Sequence, residues 1–107
     1  MSSAKVFLVQ NTRLNSANLS EFGECVALLG KKVPMKDLSG TALLMAKRLK
    51  EEEFNCDSDY IAISGNIALV SILSSIALAG FPSINVLMFD AHSSRYRPHT
   101  IINPFML

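Results

Sequence analysis

The chain is poor in the residues from which most sites are built. Its 107 residues carry two cysteines, two histidines and no long basic or acidic run. Cys25 and Cys56 stand far apart in sequence with no CxxC or CxxH spacing, which excludes a disulfide scaffold and a zinc-finger ligand set. They read as reduced thiols of a cytosolic protein rather than as one disulfide. Charged residues make up 18% of the chain and the net charge is +1, so global electrostatics announce neither a nucleic-acid nor a membrane partner. The start, Met1-Ser2-Ser3-Ala4-Lys5, has no basic segment leading into an apolar stretch, as a secretory signal requires. A GxGxxG fingerprint, a P-loop lysine and a Gly-x-Ser-x-Gly elbow are all missing.

No charged residue occurs between Tyr60 and Phe89, a run long enough to span a bilayer on length alone. Ser64, Asn66, Ser71, Ser74, Ser75, Ser83 and Asn85 interrupt it, and Gly65, Gly80 and Pro82 break it at the spacing of separate elements. Its flanks show no basic bias. The run is therefore expected to fold as strand (Tyr60 to Ser64), helix (Ile67 to about Ala79) and strand (Ile84 to Phe89), and no membrane span is expected. Asn66 is placed to cap the helix, Gly80 to end it and Pro82 to stop it.

The rest of the chain fits around this βαβ unit. Lys5 to Gln10 and Gly23 to Gly30 are apolar runs of strand length, separated by a polar loop. Pro34 lies in an exposed connector. Thr41 to about Phe54 repeats Ala42, Met45, Ala46 and Leu49 at helical spacing, widened by Leu43 and Leu44, with Asp37 or Ser39 as cap. Lys47, Arg48, Lys50, Glu51 and Glu52 form its solvated face, and the acids Glu51 to Glu53 predict a frayed end. Asn55 to Asp59 reads as a turn; it lacks the glycine and distal glutamate of a calcium loop, so no metal site is expected. Arg95 to Ile102 pairs back on the preceding strand, and Pro98 puts it at a sheet edge. The expected fold is one α/β domain over residues 1–107: a small mixed sheet of four or five strands with a parallel βαβ unit, two main helices and a C-terminal hairpin.

Three function classes fit this frame. Ligands of open α/β sheets bind beyond the carboxyl ends of parallel strands, which points to Gln10, Asn11, Ser64, Gly65, Asn66, Asp90 and His92. Ser64-Gly65-Asn66 opens a helix, where free amides suit a phosphate or nucleotide, though an ordinary strand-to-helix turn explains it as well. Asp90 and His92 share a side of an extended stretch and could act as acid and base in a hydrolase or as two metal ligands, with His99 the only other histidine; a hairpin turn held by Asp90 explains the pair more simply. A second class is nucleic-acid binding: Arg95 and Arg97 alternate around Tyr96 on the edge strand, against the plainer reading of charges that guard an edge.

The third class is protein contact. The Ile67–Ala79 helix has no charged face, and Ala68, Ser71, Ser75 and Ala79 form a small-residue side able to admit another element closely. This side is expected to meet a second copy of the chain rather than be covered by the other helix and the long loop, and the apolar tail Asn103-Pro104-Phe105-Met106-Leu107 to pack on its own domain or reach a neighbour. With no complete catalytic set and no cofactor implied, contact as a homodimer is favoured over an enzyme.

A resemblance joins this reading. Val9-Gln10-Asn11, Glu21-Phe22-Gly23-Glu24 leading into Val26-Ala27-Leu28-Leu29, Asp59-Tyr60 with Ser64-Gly65, Leu87-Met88-Phe89-Asp90 and Tyr96-Arg97-Pro98 together resemble small uncharacterised proteins encoded in bacteriophage genomes. The resemblance covers most of the chain. It implies a viral accessory protein in the cytoplasm of a bacterial host, meeting an unknown host or viral protein, and no known site.

Overall fold

The computed structural model describes residues 4–10, 18–30, 37–64 and 66–106. The chain forms a five-stranded sheet in the order β2-β1-β3-β4-β5. The strands are β1 (Lys5–Leu8), β2 (Glu24–Ala27), β3 (Tyr60–Ala62), β4 (Ser83–Asp90) and β5 (Arg95–Ile102). Helix α1 (Leu38–Glu51) joins β2 to β3, and α2 (Ile67–Ala79) joins β3 to β4. The first four strands are mutually parallel, and β5 returns antiparallel along the whole of β4. The mixed sheet, the βαβ unit and the final hairpin are those expected from the sequence. The Pro34 connector lies outside the described residues.

The alternation of side chains along each strand divides the core in two. Phe7, Val9, Ile61, Ile84 and Val86 face the helices and pack with Met45 and Leu49 of α1 and Leu69, Leu73 and Ala77 of α2. Val6, Leu8, Ala62, Leu87 and Tyr96 face the other way and are covered by Leu19, from a short 3-10 turn at Leu19–Glu21. Chain direction explains why both helices share one side. From β2 to β3 and from β3 to β4 the chain moves the same way across the sheet, whereas from β1 to β2 it moves back. Right-handed crossovers then put the helices on one face and the first connection on the opposite one.

Local chemistry sets the element ends. Asp37 starts α1, its side chain accepting from the Gly40 amide at 2.9 Å. The expected start at Thr41 was therefore one turn late: Gly40 and Ser39, poor formers in a helix interior, are tolerated in a capped first turn. The other end of α1, expected to fray, is closed by backbone hydrogen bonds. Glu53 takes a left-handed φ of 55°, Glu53 N–H donates to Lys50 C=O and Phe54 N–H to Leu49 C=O, both at 3.0 Å. This is a Schellman closure, and Phe54 seals it by packing on the core that holds Leu49. Gly80 ends α2 at φ −95°, a right-handed conformation that uses none of glycine's freedom. Asn66 caps α2 as expected, its Oδ1 accepting from Ala68 N–H at 2.9 Å and Leu69 N–H at 3.3 Å. Ile67, at the start of α2, stands 82% exposed, and Leu69 turns into the core. Among the described residues no helix is long and apolar enough to cross a membrane.

Candidate functional site

The carboxyl ends of the parallel strands carry the first group of candidate residues. Gln10 follows β1 and its Nε2 donates to Gly30 C=O at 3.2 Å, tying two loops together. Ser64 is buried just past β3, and Asn66 spends its side-chain oxygen on the α2 cap. Asn11 and Gly65 lie outside the described residues. Asp90 does not join this group. Ala62 at the end of β3 lies level with Leu87, so β4 runs three residues further and carries Asp90 about 10 Å beyond the parallel part of the sheet.

Asp90 organises the hairpin turn. Its oxygens accept from His92 N–H and Ser93 Oγ, each at 3.0 Å, and its carboxylate meets Arg97 Nε at 2.9 Å. The Ser93 hydroxyl foremost, then the His92 amide and the Arg97 charge, hold the carboxyl below its ordinary value. His92 meets Asp90 through its backbone amide, and its own side chain is exposed. Among the described residues no three His, Cys, Asp or Glu side chains gather as a metal site would require. The two cysteines are free, and burial first of all raises both thiols above their ordinary pKa.

The edge strand β5 separates its three candidates. Arg95 pairs with Glu21 at 2.6 Å and Arg97 with Asp90, both near the surface. Tyr96 points to the opposite face, is buried, and packs edge-on against Phe89 with centroids 5.4 Å apart. The arginines and the tyrosine thus lie on different faces of the sheet, and the tyrosine ring belongs to the core.

The small-residue side of α2 lies at the surface. Ser71, Ser75 and Ala79 are exposed and Ala68 half-buried. The hydroxyls turn back into the helix: Ser71 Oγ donates to Ile67 C=O at 2.8 Å and Ser75 Oγ to Ser71 C=O at 2.9 Å. Such back-bonding occupies the hydroxyl proton without water. The stripe is therefore less polar than its composition suggests, and no charge interrupts it.

One feature escaped sequence reasoning. A cavity of about 750 Å³ opens between the C-terminal halves of the two helices. Leu49, Phe54, Ala77 and Phe81 line it with Leu43, and Lys47, Lys50 and Glu53 carry its charges. It sits at the amino ends of the strands, because α1 ends where Lys5 Nζ, at the start of β1, donates to Glu52 C=O at 2.8 Å. The strand-end rule points to the opposite, carboxyl ends of the strands. The available signal was the widening of the α1 stripe by Leu43, which is 73% exposed.

The sequence matches the family model described as Phage Pam3 gp32-like protein over residues 4–103. No curated protein and no solved structure matches the chain. A match over nearly the whole length shows the family, and the chain belongs to it.

Proposed function

Starting from membership of a phage protein family, we propose that this small protein works by protein–protein contact, as a homodimer, and catalyses no reaction of its own. Its copies meet through the Ala68, Ser71, Ser75 and Ala79 side of α2, and its further partner is a host or viral protein in the host cytoplasm. One observation carries the reading: an uncharged helix stands at the surface with the exposed hydroxyls of Ser71 and Ser75 bonded to its own backbone. Exposed apolar surface without compensating charge is characteristic of contact surfaces. The candidate polar residues are otherwise engaged: Asn66 caps a helix, Asp90 holds a turn, and Arg95 and Arg97 are in ion pairs.

Light scattering tests it. At micromolar concentration the wild-type mass should be at least twice the 11.7 kDa of the chain. A Ser71→Lys, Ser75→Lys double variant should halve that mass with an unchanged circular dichroism spectrum, since both positions are exposed. A monomeric wild type would sink the homodimer, and a double variant of unaltered mass would remove α2 from the contact.

A further inference from the structure

Strand β5 forms one edge of the sheet. Residue by residue, β5 opposes β4 from Arg95 against Asp90 to Ile102 against Ser83. Asn103 N–H donates to Pro82 C=O at 2.8 Å, so the odd-numbered positions of β5 turn their backbone groups inward, to β4. Tyr96, Pro98, Thr100 and Ile102 then turn theirs outward. The buried Asn18 confirms this phase. Its side-chain amide takes Tyr96 N–H at 2.9 Å and Tyr96 C=O at 3.1 Å, as a neighbouring strand would. Pro98 has no N–H to offer. The outward groups of Thr100 and Ile102 meet no partner among the described residues, and both residues are exposed.

We propose that this open edge pairs antiparallel with the same edge of a second copy, centred on Thr100, as a contact additional to α2 that joins one homodimer to the next. The proposal rests on the reading that the chain associates with itself. The shape of the opening selects a second copy. On one side of Thr100 it ends at Tyr96, where Asn18 occupies the place of a strand. On the other, β5 itself ends at Ile102 and the chain turns off into the 3-10 segment Pro104–Met106. In a two-fold pairing about Thr100, each strand therefore stops before it reaches the partner's Asn18. Thr100 N–H and C=O exchange bonds with the partner's Thr100, and Ile102 N–H meets the Pro98 C=O across the axis; only the Ile102 C=O, facing the proline, goes without. Arg97 falls opposite Asn103, so no like charges oppose one another. Nothing charged flanks the opening on its C-terminal side, where Ile101, Ile102 and Phe105 are exposed. A short edge left open in this way is a template for strand addition.

Hydrogen exchange on the wild-type protein gives the first test. The Thr100 and Ile102 amides should become protected as concentration rises, while the Ile101 amide, bonded within the chain, stays protected throughout. Thr100→Pro and Ile102→Pro each repeat what Pro98 already does, removing an outward donor without touching a bond to β4. The first also loses a hydroxyl bond to Asn85 Oδ1 at 2.9 Å, and the second does not. Each should lower the mass seen by light scattering to that of the α2 homodimer, and each combined with the α2 double lysine variant should leave a monomer. A wild-type monomer overturns both self-association and this contact. A wild-type oligomer that the α2 variant dissociates, with Thr100 and Ile102 exchanging freely and both proline variants unaltered in mass, overturns the edge contact alone.

Discussion

At the scale of single residues, the sequence features that set this chain apart turn out to be joints of the fold. Asp59 is buried and accepts from Lys5 N–H at 2.9 Å and Asn55 N–H at 2.8 Å, tying the start of β1 to the turn before β3. Asp90 does similar work in the hairpin, where its depressed pKa reflects hydrogen bonds made to the charged form. Both residues were legible as acids in turns; their targets, a strand far off in sequence and a serine three residues on, were not. Gly23 is the clearest case. Its φ is 157°, and a Cβ there would collide with the carbonyl oxygen of Ala4, to whose oxygen Glu24 N–H donates at 3.2 Å. The obstacle is backbone that already pairs β1 with β2, so it cannot swing aside. Gly23→Ala should therefore destabilise the protein by about 1–3 kcal/mol, as overpacking does. Urea unfolding would show it as a lower midpoint at unchanged slope. An unshifted midpoint would mean that β2 can move away from β1 at little cost.

At the scale of elements, helices were easier to read than their ends. The cap, length and breakers of α2 are written in consecutive residues, from Asn66 to Pro82, and all stand where the sequence puts them. The start of α1 is displaced because a side-chain bond from Asp37 rescues a first turn with poor propensity. Its other end is the sharper lesson. Three consecutive acids oppose the helix dipole, and that local effect predicted fraying. Tertiary packing of Phe54 outweighs it and fixes Glu53 in a left-handed conformation. A non-glycine residue costs about 1–2 kcal/mol there, whereas glycine gives back part of that relief through its looser unfolded state. Glu53→Gly should thus stabilise the protein by about 1 kcal/mol, helped by removal of one acid from the helix end. For a chain of this size that raises the melting temperature by about 4 °C. A lower melting temperature would show that the Glu53 side chain, which lines the inter-helix cavity, contributes more than its backbone strain costs.

At the scale of the whole molecule, class, hairpin and the edge position of the last strand were legible, but the order of the other strands was not. Periodicity says which face of a strand is buried and nothing about which strand lies beside it. That order decides much of what reaches the surface. Placing β5 outermost leaves the edge at Thr100 and Ile102, and placing both helices on one side creates the cavity between Leu43 and Phe81. The cavity lies within no continuous stretch of sequence, whereas the edge lies within β5, which Pro98 already puts at a sheet edge. What composition did foretell is a molecule short of charge: half of its residues are hydrophobic. Ile67, Phe89, Ile102 and Phe105 are all more than half exposed in the single chain. Surface of this kind is stable in water when another copy covers it, and coverage links stability to concentration. If the folded state is a dimer and the unfolded state is not, mass action stabilises the dimer by RT times the logarithm of the concentration ratio. Raising a 107-residue chain a hundredfold in concentration, from the low micromolar range, should then lift its melting temperature by about 6 °C. Scanning calorimetry across that range checks it, and a melting temperature independent of concentration would show that the folded chain stands alone.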